Sequence, residues 1–193
     1  MHPVTLKHVQ KTYRLDAIDV PALSDINLDI RANCFTVISG PSGSGKTTLL
    51  NLIGCIDQAD QGEVTVAGQH TRQMSDDALS DFRARHLGFV FQNFNLLAVL
   101  SAFENVEYPL LLTGMPKAQR RQRVLALLDA VGLANRAHNR PGQLSGGQRQ
   151  RVAIARALAA APRLVLADEP TANLDSQTGA AIIALMRAMQ REH

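Results

Sequence analysis

Gly40-Pro41-Ser42-Gly43-Ser44-Gly45-Lys46-Thr47 has the spacing G-x-x-x-x-G-K-[ST], a set of residue types that can hold a polyphosphate. Glycines at 40, 43 and 45 let successive backbone N–H groups turn toward one anion, and a helix starting at Lys46 adds its partial positive charge there. The Lys46 ammonium can reach β- and γ-phosphate oxygens, and the Thr47 hydroxyl can ligate Mg²⁺. Leu164-Val-Leu-Ala runs into Asp168-Glu169 and offers the complementary acids. Asp168 suits an ion that keeps part of its water shell. Strand alternation turns Glu169 to the other side, where it can act as general base on a water. A Gly/Ser loop alone could simply turn the chain, and adjacent acids could simply end a strand. Occurring together, they point to a nucleoside triphosphate.

The elements that must position these groups follow from periodicity. Residues 34–39, CFTVIS, read as a strand buried on both faces. Val4, Leu6 and Val9 suggest one earlier strand, and Ile26, Leu28 and Ile30 a second. A helix from Lys46 carries Leu49, Leu50, Leu52 and Ile53, and Glu63 to Ala67 forms a strand between two glycines. Asp76 to Arg85 reads as helix and Leu87 to Phe91 as strand. From about Phe94 to Gln143 the pattern is helical. One helix starts at Pro116 and stops at Gly132, with Lys117 to Arg123 as its solvated first turns. Gln148 to Ala160 is helical, Leu164 to Ala167 a buried strand, and Gln177 to Gln190 a last helix. Strands flanking a helical stretch imply an α/β core with a helical insertion.

With 193 residues, 46% hydrophobic and 19% charged, the chain can build one core and is not disordered. The net charge of +3 is too small to demand nucleic acid as a partner. Cys34 and Cys55 lie in apolar runs and read as buried small hydrophobes in a reducing compartment. The N-terminus has no signal-peptide pattern, and Arg156 interrupts the best apolar run, so a soluble chain is expected.

Leu144-Ser-Gly-Gly-Gln148, twenty residues before Asp168, resembles the signature of ATP-binding-cassette (ABC) ATPases. Gln92 in Val-Phe-Gln resembles that family's glutamine loop, Asn173-Leu-Asp175 its D-loop, and Tyr13 its adenine-stacking aromatic. The resemblance spans the whole chain. It implies a P-loop NTPase core with a mixed sheet, an N-terminal antiparallel β subdomain and a helical insertion. Residues 1–92 and 162–193 would form the core, and about 93–161 the helical part carrying the signature.

It further implies ATP contacts from Tyr13, from Gly40, Pro41, Ser42, Gly43, Ser44, Gly45, Lys46, Thr47 and Thr48, and from Ser145, Gly146, Gly147, Gln148 and Asp175. Mg²⁺ ligation would fall to Thr47, Gln92 and Asp168, and catalysis to Glu169, Gln92 and Lys46. Ser145 suits a helix N-cap, and the two glycines after it leave amides open to an anion. In the family such a helix start completes the opposite chain's site, so the resemblance implies a homodimer sandwiching two ATP molecules. Phe94 and Leu97 would line a groove receiving a permease helix.

Tyr13-Arg-Leu, Val20-Pro-Ala-Leu23 and Asn105-Val-Glu-Tyr-Pro109 resemble the branch of macrolide exporters, lipoprotein-release systems and cell-division ATPases. An exporter subunit held at the cytoplasmic face of the inner membrane by an integral-membrane permease is therefore expected. The alternative is an ATP-gated regulatory module that moves no solute. The stretch from Gln92 to Leu144, 52 positions apart, lacks sustained heptads, which argues against a DNA-repair ATPase. No Thr-His-Asp stretch follows the D-loop, and His193 follows helical sequence, so no switch histidine is assigned. Nucleotide binding with slow turnover is the corresponding expectation.

Overall fold

Alternating apolar and polar residues make the N-terminal stretch a hairpin. In the computed structural model, which describes residues 2–192, β1 (Val4–Leu15) pairs antiparallel with β2 (Ile18–Ile30). On the other edge of β1 lies β3 (Gln61–Val66), followed by the short β4 (Gln69–His70), in the order β2-β1-β3-β4. Val4, Leu6 and Val9 are all buried, although strict alternation would put Val9 on the opposite face. A bulge resolves the conflict. The register shifts between Leu6 and Val9, where His8 takes φ 51°, and the extra residue restores parity. From Val9 onward Lys11 and Tyr13 continue the same alternation.

The chain forms two compact units that divide between Arg83 and Ala84. In the first, α1 (Lys46–Ile53) packs on β2 and β3 with Leu49, Leu52 and Ile53 buried. The expected strand at 34–39 is absent. Cys34 is exposed and Val37 is 69% exposed. A strand buried on both faces needs neighbouring strands, and among the described residues no strand pairs with this run. Its apolar composition expresses a tendency that only neighbours could fulfil.

α2 (Asp76–His86) crosses the boundary, with Asp76 and Asp77 in its first turn and Leu79 and Phe82 buried. In the second unit β5 (Leu87–Val90) and β6 (Leu164–Ala167) form a parallel pair, from Leu87 opposite Leu164 to Val90 opposite Ala167. Around it stand α3 (Ala102–Glu107), α4 (Lys117–Ala130), α5 (Gly146–Leu158) and α6 (Ser176–Glu192). One cluster, including Val106, Leu110, Val124, Leu128 and Val152, joins the helices; another, Val90, Ile154, Ala157 and Ile182, seats α5 and α6 against β5.

The first turns of α4 are solvated as expected at 117–119, 121 and 122, whereas Arg120 and Arg123 are half-buried. Arg120 pairs with Glu107 at 3.0 Å, and Arg123 donates to the Leu158 and Ala159 carbonyls at the end of α5. Those carbonyls lie at the helix end, where the guanidinium adds a donor to each; the Leu158 carbonyl also accepts the Ala161 N–H at 3.1 Å. Among the described residues no helix is long and apolar enough to cross a membrane.

The two cysteines should behave differently. Burial pushes the Cys55 thiol from 9.0 up to about 11, whereas Cys34 is exposed. At pH 8 a thiol reagent should label Cys34 rapidly and Cys55 only on unfolding; equal rates under native conditions would contradict the packing of Cys55. Because the folded-state value is the higher one, burial of the neutral thiol contributes stability below about pH 9. That contribution is lost as pH rises from 9 toward 11.

Candidate nucleotide site

Residues 40–44 form an exposed loop, closed by a Ser44 N–H to Pro41 carbonyl bond of 3.3 Å. Gly45 then caps α1 in the left-handed region, φ 83°. A Cβ there would lie 2.5 Å from the Ala22 carbonyl oxygen and 2.9 Å from Leu23 Cδ2, so β2 leaves room only for glycine. The first helical bond of α1 runs from Leu49 N–H to the Gly45 carbonyl at 2.8 Å. First-turn amides ahead of that bond have no intrahelical acceptor, and no acid occupies the first turn to compete for an anion. Lys46 Nζ donates to the carbonyls of Gly40 (2.9 Å) and Pro41 (2.8 Å). This folds the ammonium over the loop, with its third donor left for an anion. A bent glycine loop, a helix start and a lysine converge on one small volume, which suits a polyphosphate.

Tyr13 lies on β1 opposite Val20 with its ring half-buried. Its hydroxyl donates to Asp57 Oδ2 at 2.8 Å and also bonds the Thr48 side chain of α1. Burial, reinforced by Asp57, raises the phenol above its ordinary value. Burial acts to raise the Asp57 carboxyl as well, but hydrogen bonds from Lys11 and Tyr13 overcome this and hold it low.

In the second unit the parallel pair brings the ends of β5 and β6 side by side. Asp168 N–H bonds the Val90 carbonyl at 3.0 Å, one step beyond β6. Glu169 is no longer on a strand. It takes φ 44°, and its carbonyl accepts the Ala172 N–H at 3.1 Å. The expectation of strand alternation across the two acids is therefore corrected: both lie beyond β6, and Glu169 stands in a left-handed turn. That conformation costs a non-glycine residue about 1–3 kcal/mol.

Gln92 emerges two residues after β5, and its carbonyl accepts the Asn173 side-chain amide at 3.1 Å; the same amide bonds Asn93 Oδ1 at 2.9 Å. Phe94 (φ 62°) and Asn95 (φ 48°) continue in left-handed backbone. Arg156 of α5 donates to both their carbonyls, and the Arg149 guanidinium lies 5.1 Å from the Phe94 ring centre. Burial pulls the Arg156 pKa down. Leu97 is 43% exposed rather than core.

Ser145 caps α5 in a full capping box: its hydroxyl accepts the Gln148 N–H at 3.3 Å, and Gln148 Oε1 accepts the Ser145 N–H at 2.9 Å. The Gln148 side chain is thereby turned back on the helix start, leaving Gly146 and Gly147 as its bare backbone. A Cβ on Gly147 would meet the Thr178 methyl at 2.6 Å, so the signature turn lies against the start of α6. Asp175 caps α6, accepting the Thr178 N–H at 2.9 Å, and bonds from Thr178 hold its carboxyl low. Buried Gln150 donates to the Pro170 carbonyl at 2.6 Å, fastening α5 to the turn that follows Glu169.

The first unit thus carries Tyr13 and the cradle with Thr47 and Thr48. The second gathers Gln92, Asp168, Glu169, Asp175 and the signature. Sequence reading passed over Lys11, Asp57, Gln150 and Arg156, whose partners lie 20 to 62 residues away. No local pattern marks them. Among the described residues no cluster of three or more His, Cys, Asp or Glu could hold a metal. The hydroxyl of Thr47, the carboxylate of Asp168 and the amide oxygen of Gln92 are hard oxygen donors. Each is of the kind Mg²⁺ takes as a ligand.

Comparisons with known proteins agree with this chemistry. The family model described as ABC transporter matches residues 23–172. The lipoprotein-releasing system ATP-binding protein LolD of Chromohalobacter salexigens is 51% identical over 176 residues, covering 91% of this chain and 74% of that protein. The macrolide export ATP-binding/permease protein MacB of Photorhabdus laumondii is 45% identical over 184 residues, 95% of this chain but 28% of that protein. Among solved structures, the ATP-binding cassette MJ0796, dimeric and bound to ADP and Pi, superimposes with a TM-score of 0.89 at 47% identity, covering 98% of this chain and 83% of that one; it comes from Methanocaldococcus jannaschii. A phosphate cradle, a capped signature helix and paired acids stand in one chain that the family model matches over residues 23–172, and the chain belongs to the ABC transporter family as one of its ATP-binding, ATP-hydrolysing domains.

Proposed function

We propose that this protein is the ATPase subunit of a membrane exporter, pairing with a second copy of itself around ATP and Mg²⁺ and driving an integral-membrane permease. The observation that carries the reading is the presence of two anion-ready helix starts in one chain, Gly45–Lys46 and Ser145–Gly146. One triphosphate needs one cradle. A second helix start is explained if it closes on a nucleotide held by another copy. The dimeric MJ0796 cassette supports this, and the names of MacB and LolD support export or release at a membrane. The protein would sit at the cytoplasmic face through its permease, with the exposed Leu97 region contributing to contact.

In this reading the glycine loop and Lys46 hold the triphosphate, and Tyr13 stacks on adenine. Bound Mg²⁺ would neutralise phosphate charge, held by Thr47 and Asp168 with Gln92 nearby in the donor set. Glu169 accepts a proton from water as the water oxygen bonds the γ-phosphorus and the bridging P–O bond to ADP breaks. The signature residues Ser145, Gly146, Gly147 and Gln148, with Asp175, would meet the nucleotide of the other copy. Hydrolysis removes the group bridging the copies, and that difference in affinity moves the permease.

Size-exclusion chromatography with light scattering tests the central step. With Mg²⁺ and β,γ-imido-ATP the protein should run as a dimer, and with MgADP as a monomer. Gly147→Val, which collides with Thr178, should remain monomeric while still binding nucleotide. A monomer under every condition would defeat the proposal.

A further inference from the structure

Tyr13 would be a poor platform for a base if it hung freely from its hairpin, whose end carries exposed Leu15 and Ile18. It is instead fastened from two sides. Its hydroxyl lies between Asp57, which accepts its proton at 2.8 Å, and the side chain of Thr48 on α1. Lys11, two residues earlier on the same strand, places Nζ 5.2 Å from the ring centre, so a cation lies over the ring. That ammonium is itself held, 2.8 Å from Asp57 Oδ1, 2.8 Å from the Gln58 carbonyl and 3.6 Å from Asp60 Oδ1. Asp60 in turn accepts the Thr12 N–H at 2.7 Å, and its own N–H bonds the Gln10 carbonyl at 3.0 Å. The segment leaving α1 is thus tied to β1 at residues 10, 11, 12 and 13.

We infer that Asp57, together with Lys11, is a positioning residue that sets the Tyr13 ring at a fixed height and tilt relative to the phosphate cradle. The inference rests on the reading of Tyr13 as the adenine platform and adds the device that orients it. The pair is well shielded, with side-chain exposures of 11% for Lys11 and 28% for Asp57, so water screens it less than an ordinary surface pair. Asp57 bonds Lys11 with one oxygen and Tyr13 with the other, so one carboxylate fixes both the ring's edge and the cation over it. A ring already in place loses less freedom when a base stacks on it, which favours binding without adding a contact. Thr48 links the ring to the same helix whose start forms the cradle, so base and phosphate subsites share one rigid reference.

Calorimetric titration with β,γ-imido-ATP and with inorganic tripolyphosphate, which has no base, separates the outcomes. Tyr13→Ala should weaken the nucleotide by about tenfold and Asp57→Asn by about fivefold, both leaving tripolyphosphate unchanged. Tyr13→Phe should resemble Asp57→Asn. Adding Asp57→Asn to Tyr13→Ala should cause no further loss, because Asp57 acts through the ring. If Tyr13→Ala weakens the nucleotide and Asp57→Asn does not, positioning is wrong while stacking stands. An unchanged Tyr13→Ala overturns the stacking reading and this inference with it. Loss of tripolyphosphate binding in Asp57→Asn, or additive losses in the double variant, would make Asp57 a structural residue and overturn the inference alone.

Discussion

Glu169→Gln should lower phosphate release by on the order of 10²–10⁴-fold and leave ATP binding within about twofold. The substitution keeps the size and shape of the side chain and the φ 44° turn, whose carbonyl holds the Ala172 N–H. What it removes is the capacity to take a proton from water, since an amide oxygen is a far weaker base than a carboxylate. A contact that only helped hold ATP would raise KM and spare kcat; a base acts on kcat. Single-turnover phosphate release together with equilibrium ATP binding separates the two. Turnover within tenfold of the parent chain would remove Glu169 from the role of base. The same variant should hold the ATP-bound dimer longer, because the bridging phosphate survives.

Lys46→Ala should act on the other side of the reaction and weaken ATP by about a hundredfold, as expected for loss of hydrogen bonds between a charged donor and an anion. The ammonium that bonds the Gly40 and Pro41 carbonyls is the only positive side chain in residues 40–48. Removing it takes away both the charge and the strap across the loop. Because residues 40–44 are exposed, water replaces the lost donors to those carbonyls, and the melting temperature should shift by no more than about 2 °C. Unchanged ATP affinity by calorimetry would separate this loop from phosphate binding. Lys46→Arg should not restore affinity fully, since a planar fork cannot direct donors to two carbonyls and a phosphate as a rotating ammonium can.

Where chemistry is local, the amino-acid order was enough. β6 falls at Leu164–Ala167 as its apolar run implies. α4 begins after Pro116 and ends before Gly132, and Ser145 caps α5. Helix caps and turn glycines act over three or four residues, so their signal is written in neighbouring positions. The cradle is legible for the same reason: glycine, lysine and threonine at fixed offsets leave few other arrangements of the backbone.

The order of residues by itself determined most of the elements and the family, and it named the candidate groups for handling phosphate. Tertiary structure alone decided which of those groups are held, and how. It left 34–39 without strand partners and Cys34 in solvent, because burial is conferred by neighbours and not by composition. It put Glu169 in a left-handed turn beyond β6, with its carbonyl bonded to the Ala172 N–H, where the sequence suggested strand alternation. It bound Tyr13 to Asp57 across 44 residues and Arg156 to the Phe94 carbonyl across 62. Such contacts form only after distant segments have packed, and a hydrogen bond spanning that much chain leaves no periodic trace in the sequence.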